Sequence, residues 1–75
     1  MVTVDSTRDA QAAVHEQLPE AIRFQPILHG EQCIGWTYCT APGRYGWILT
    51  TGRISAATAV SRETAAYNAR TTHRP

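Results

Sequence analysis

Apolar positions along this chain change period twice. Ala10, Ala13, Val14 and Leu18 recur at helical spacing and form one narrow apolar stripe. Ser6-Thr7-Arg8-Asp9 stands before it as a capping-box-like start, in which the Ser6 hydroxyl and the Asp9 carboxylate satisfy amides of the first turn. Pro19 ends this helix or opens a further short turn, because the residue before a proline avoids the helical region. A helix so short, with so small a stripe, persists only when it packs on something.

From Ile22 the period becomes two. Ile22 and Phe24 alternate with Arg23 and Gln25, which predicts a first strand to about Leu28. Pro26 removes a ladder donor inside it, so the strand belongs at a sheet edge or breaks there. His29-Gly30-Glu31 supplies a turn. Cys33 to Thr40 and Tyr45 to Thr50 are predicted as second and third strands, rich in β-branched and aromatic residues. Ala41-Pro42-Gly43-Arg44 connects them, with Pro42-Gly43 suited to a type II turn.

An even-length connection would set Thr40 opposite Tyr45, Tyr38 opposite Trp47 and Trp36 opposite Leu49. One hairpin face would then gather Trp36, Tyr38, Tyr45, Trp47 and Leu49. The other would carry Cys33, Gly35, Thr37, Cys39, Gly46, Ile48 and Thr50. A one-residue slip reverses the sides and scatters the aromatics, so clustering favours the even register. Five of the six aromatic residues fall between Phe24 and Trp47. Their face reads either as core beneath an alanine-rich helix or as an exposed platform for bases or partners.

Thr51-Gly52 is a further turn, and Arg53-Ile54-Ser55 is an option for a brief fourth strand. Ser61 reads as an N-cap, with Glu63 in the first helical turn and Arg70 near the C-terminus, both of favourable sign for the helix dipole. Ala65, Ala66 and Ala69 give that helix a thin face. The expected class is α+β: an N-terminal helix, a three- or four-stranded antiparallel sheet, and a C-terminal helix packed on one sheet face. The 75 residues read as one small domain, 1–75, with 1–5 and 71–75 frayed.

A domain of this size buries only about 60% of its unfolded surface, so its core is marginal unsupported. A homodimer would supply the missing burial, through Ile48 and Thr50 or through the Val14 and Leu18 stripe, with the arginines outside. The net charge of +1 conceals an asymmetry: residues 1–43 sum to −3 and residues 44–75 to +4. All seven basic residues are Arg, whose planar fork pairs with carboxylate or phosphate at two points. That overall charge is small for a dedicated nucleic-acid binder and suits a protein surface at least as well. No apolar run approaches the ~20 residues a membrane span needs, and Met1 to Asp9 holds two acids and no apolar block, unlike a signal peptide.

Chemistry is sparse. His15, His29 and His73 fall on a helix, a turn and a tail, and none stands at a spacing that forces contact with a carboxylate or nucleophile. His29, Glu31 and Cys33 could meet only if the turn folds back. No nucleophile elbow, Walker loop, HExxH or dinucleotide fingerprint occurs. The expectation is therefore a chain that is not an enzyme and takes no metal or cofactor.

Gly35-Trp36-Thr37-Tyr38, Gly43-Arg44-Tyr45-Gly46-Trp47 and the helix from Ser61 to Arg70 give a curled three-stranded sheet followed by a helix. From Phe24 to Arg70 this layout resembles the arm-type DNA-binding domains of phage integrases. That resemblance implies a sheet set against DNA, with Arg44, Arg53, Arg62 and Arg70 on or near phosphates. In type rather than motif, a small α/β domain without catalytic residues resembles the inhibitors that phages and mobile elements encode, anti-CRISPR proteins among them. This second resemblance implies a host protein complex as partner, a CRISPR effector for instance, and steric blocking in the host cytoplasm. It leads, with the DNA-binding domain as alternative. Either way the candidate surface is Tyr38, Arg44, Tyr45, Arg53, Arg62 and Arg70.

If Cys33 and Cys39 share one strand, their α-carbons lie about 20 Å apart, far beyond the ~7 Å limit for a disulfide or the reach of one metal ion. Two reduced side chains on a sheet fit a cytosolic setting. A thiol titration of unfolded, non-reduced protein should find both; finding neither in a monomer would overturn their placement on one strand.

Overall fold

The computed structural model describes residues 3–73. Ser6 stands in extended backbone, and its Oγ accepts from the Asp9 amide at 3.2 Å, so helix α1, Thr7–His15, begins where the capping pattern puts it. The Asp9 carboxylate reaches back to the Asp5 amide at 3.3 Å. Single turns then carry the chain past Pro19 to Ala21. Strands β1 (Ile22–His29), β2 (Gln32–Ala41) and β3 (Arg44–Leu49) follow, then helix α2 (Arg62–Thr72), capped by Ser61 through the Thr64 amide. The sheet is antiparallel in the order β1-β2-β3, so Pro26 does lie on an edge strand. This is the expected α+β class.

The expected hairpin register is not the observed one. Ala41 pairs with Arg44 around the two-residue turn Pro42-Gly43, and Gly43 takes the positive φ (74°) a type II turn requires at that position. Yet Thr40 is an extra residue on β2, and beyond this bulge Cys39 faces Tyr45, Tyr38 faces Gly46, Thr37 faces Trp47 and Trp36 faces Ile48. The aromatics therefore divide between the faces. Trp36, Tyr38 and Ile48 pack beneath α1 with Val4, Ala10, Val14 and Ala21, while Trp47 and Leu49 join Ile27 and Ile34 beneath Ala65 and Ala69 of α2. One large aromatic face would have left the second helix a hairpin face of mostly small and polar residues, with Ile48 its one large apolar side chain. Two further bulges, at Arg23-Phe24 on β1 and at Ile34 on β2, adjust the other ladder.

The brief fourth strand is an isolated bridge instead, Ile54 to Ile48, with a second from Ala59 to Tyr45. Short contacts of this kind cover the outer edge of β3 without extending the sheet. Ile48 and Val14, expected at a dimer contact, are fully buried within this chain, with Leu18 packed against them, so that placement is corrected. Val4 is buried and its amide donates to Thr50 O at 2.8 Å, and Thr71 and Thr72 are helical. Met1, Val2, Arg74 and Pro75 lie outside the described residues.

Where the two faces meet, backbone approaches backbone. A β-carbon on Gly35 would run into the Ile48 carbonyl oxygen, and one on Gly46 would stand 2.7 Å from the buried Tyr38 ring. Added bulk in a packed interior costs about 1–3 kcal/mol. Gly35→Ala should fall at the top of that range, since main chain must move, and Gly46→Ala below it. Urea unfolding midpoints check this, and equal tolerance at both sites would contradict the close approach.

Candidate functional site

The structure separates the six candidate residues. Tyr38 is 1% exposed, tilted against Phe24 at 5.4 Å between ring centres, and cannot serve as a surface contact. It is not a surface residue, because α1 covers the sheet face it shares with Trp36 and Phe24 packs against it. Burial pushes its hydroxyl above the ordinary value of 10.0, opposed by a hydrogen bond with Ser55. Arg44 and Arg53 are exposed, at the β2–β3 turn and just beyond β3.

Arg62, Tyr45 and Arg70 form a second group around α2. One terminal nitrogen of Arg62 donates to Thr37 Oγ1 at 2.7 Å and to Arg23 O at 3.1 Å, while the guanidinium carbon lies 5.3 Å from the centre of the half-buried Tyr45 ring. The Thr37 contact satisfies a buried hydroxyl of the core. Arg70 is exposed, and its Nε donates to Leu28 O at 3.0 Å. Both arginines thus bridge α2 to main-chain carbonyls of β1. This separates them from Arg44 and Arg53, although sequence alone grouped all four.

Sequence reasoning missed three participants. Arg23 adopts φ 59°, a left-handed conformation that few side chains enter, at the β1 bulge where Arg62 holds its carbonyl. Nothing in its neighbours announces this. Tyr67, 64% exposed, stands on α2 beside a groove of about 610 Å³ between that helix and β1, and Pro26 lines the same groove. The helical spacing of Arg62, Ala66 and Arg70 is the signal that could have exposed it.

The remaining chemistry-bearing groups are engaged locally. His15 Nε2 donates to Ala21 O at 2.7 Å, and its ring meets Phe24 edge-on. His29 lies 6.4 Å from His73 between ring centres. Cys33 and Cys39 carry free thiols directed to Gly35 O and Ala41 O. Among the described residues, no three of His, Cys, Asp and Glu gather closely enough to hold a metal ion.

The chain matches no protein-family model, no curated protein and no solved structure. Among the described residues, no helix is long and apolar enough to cross a membrane. The DNA-binding alternative required a sheet face free to enter a groove. Here α1 covers one face and α2 the other, so that mode is not carried further.

Tyr38 generates a test in alkaline solution. A hydroxyl whose folded pKa lies above its unfolded value favours the native state in its protonated form. This stability is complete below about pH 10 and is lost as pH rises through the folded pKa. Unfolding midpoints should therefore fall above about pH 10 in the wild type and fall less in Tyr38→Phe. Parallel curves would show that Tyr38 ionises as freely folded as unfolded.

Proposed function

We propose that this chain is a non-enzymatic interaction protein of phage or mobile-element type, which binds a host protein complex such as a CRISPR effector and blocks it sterically in the host cytoplasm. The observation that carries this reading is the surface joining α2 to β1. There an exposed Tyr67 stands beside Arg62 and Arg70, with Ile22 and Leu28 exposed by 54% and 52% on the neighbouring strand. Tyr and Arg dominate the energetics of protein interfaces because each offers large contact area together with directed hydrogen bonds. Arginines already fixed against β1 lose less side-chain freedom on binding than solvated ones.

The sheet edges support the same reading. Bridges to Ile54 and Ala59 cover β3, and β1 carries Pro26 and a bulge at Arg23-Phe24, with a second irregularity in its ladder at Ile34 of β2. Both edges are poor templates for strand addition, which leaves side chains as the means of recognition. The full chain, tagged and incubated at physiological salt with nuclease-treated lysate of the host, should retain one protein complex and lower that complex's activity. Retention of nothing, or only of material that nuclease removes, would sink the reading.

A further inference from the structure

Helix α2 sets Arg62, Ala66 and Arg70 four residues apart along one stripe, so a small side chain lies between two cations. The rise from Arg62 to Arg70 is about 12 Å. Each guanidinium is anchored from behind on β1, Arg62 at Arg23 O and Arg70 at Leu28 O. Their hydrogen-bond partners are neutral carbonyl and hydroxyl oxygens, so neither positive charge is compensated by these contacts. The Arg70 contact uses Nε and leaves the two terminal nitrogens for another acceptor. A guanidinium so placed matches a carboxylate at two points.

Between the cations the groove is mixed, with Pro26, Ile27, Ala66 and Tyr67 giving it apolar surface beside the polar side chains of Gln25, Thr37 and Glu63. Pro26 forms one wall, Ala66 and Tyr67 the other, and the space is about 610 Å³. An extended peptide advances about 3.3 Å per residue with alternate side chains on one side, so residues i, i+2 and i+4 face the same way and span about 13 Å. That length matches the separation of the arginines. We infer that the groove between β1 and α2 receives an extended acidic segment of the partner protein, with carboxylates at i and i+4 on Arg62 and Arg70 and an apolar side chain at i+2 over Ala66 beside Tyr67.

This inference rests on the interaction-protein reading and names the chemistry of its site. Peptide rather than nucleic acid is favoured by Glu63, which lines the groove and would repel a continuous run of phosphates. Two carboxylates separated by neutral residues leave room for it. Main-chain pairing contributes little, because Pro26 offers no amide and Arg70 occupies the Leu28 carbonyl.

The probe is the blocked peptide Ser-Glu-Ser-Leu-Ser-Glu-Ser, titrated into the isotope-labelled full chain and followed by amide chemical shifts. Saturable shifts should centre on residues 25–28 and 62–70. Replacing both probe glutamates by glutamine should weaken binding by about tenfold or more, the scale of one lost charge-assisted hydrogen bond. Arg70→Gln and Tyr67→Ser should each weaken it comparably, while spectral dispersion reports that the variants stay folded. Should Arg70→Gln fail to fold, Tyr67→Ser and the glutamine probe still decide. Shifts centred elsewhere, equal binding of the glutamine probe, or tighter binding of oligothymidylate to the same amides would overturn the inference. In the lysate experiment, undiminished capture of the complex by folded Arg70→Gln would remove this groove and leave the interaction reading standing. Peptide binding by a wild-type chain that captures no complex would do the reverse.

Discussion

Strand β2 is buried on both sides, and the rest of the molecule is arranged around that constraint. From Ile34 to Tyr38 every residue is buried. A central strand of this kind needs cover on each face, yet among the described residues only two short helices provide it. Each helix therefore takes one face, and neither can be large. The thin alanine stripes of α1 and α2 let the helices approach the sheet closely, and Trp36, Tyr38 and Trp47 fill the space that small residues leave. Gly35 and Gly46 belong to the same solution, because β2 and β3 are pressed together where both faces are packed.

Covering both faces fixes where recognition can occur. With the sheet enclosed, its edges and the outer sides of the helices are what remain. The segment from Arg53 to Ala59 lies along β3, which protects one edge. On the other, α2 covers Ile27 of β1 with Ala65 and Ala69, and spans the remaining gap to the strand through Arg62 and Arg70. Long polar side chains spanning a gap leave a groove where apolar contact would have closed it. The groove and the arginines thus have one structural origin.

Much of the fold was legible because it rests on local chemistry. Ser6 and Ser61 announce their helices through cap geometry that needs only neighbouring amides, and Pro42-Gly43 dictates its own turn. Pro26 marks an edge because a missing donor is intolerable elsewhere. Register was not legible, since Thr40 looks like an ordinary strand residue and its bulge answers to packing on two faces at once. That one extra residue moved Trp47 and Leu49 to the face opposite Trp36 and Tyr38. The candidate site was legible by composition but not by grouping. Arg44 and Arg53 look like Arg62 and Arg70 in sequence, and only the third dimension shows which pair meets β1.

Arg62 shows why structure and recognition are hard to separate in so small a domain. Its contact with Thr37 satisfies a buried hydroxyl, its contact with Arg23 holds a strained bulge, and its stacking on Tyr45 contributes about 0.5–2 kcal/mol. These contacts also decide where its charge sits. A freely solvated arginine would lose rotamer freedom on meeting a partner, whereas this one lost it on folding. A domain with little core to spare can thus use one side chain twice, closing its own interior and presenting a cation at a fixed position. Arg70, anchored by a single bond and otherwise exposed, carries the second function with little of the first. The division between them is therefore one of degree, set by how many contacts each guanidinium makes with the sheet behind it.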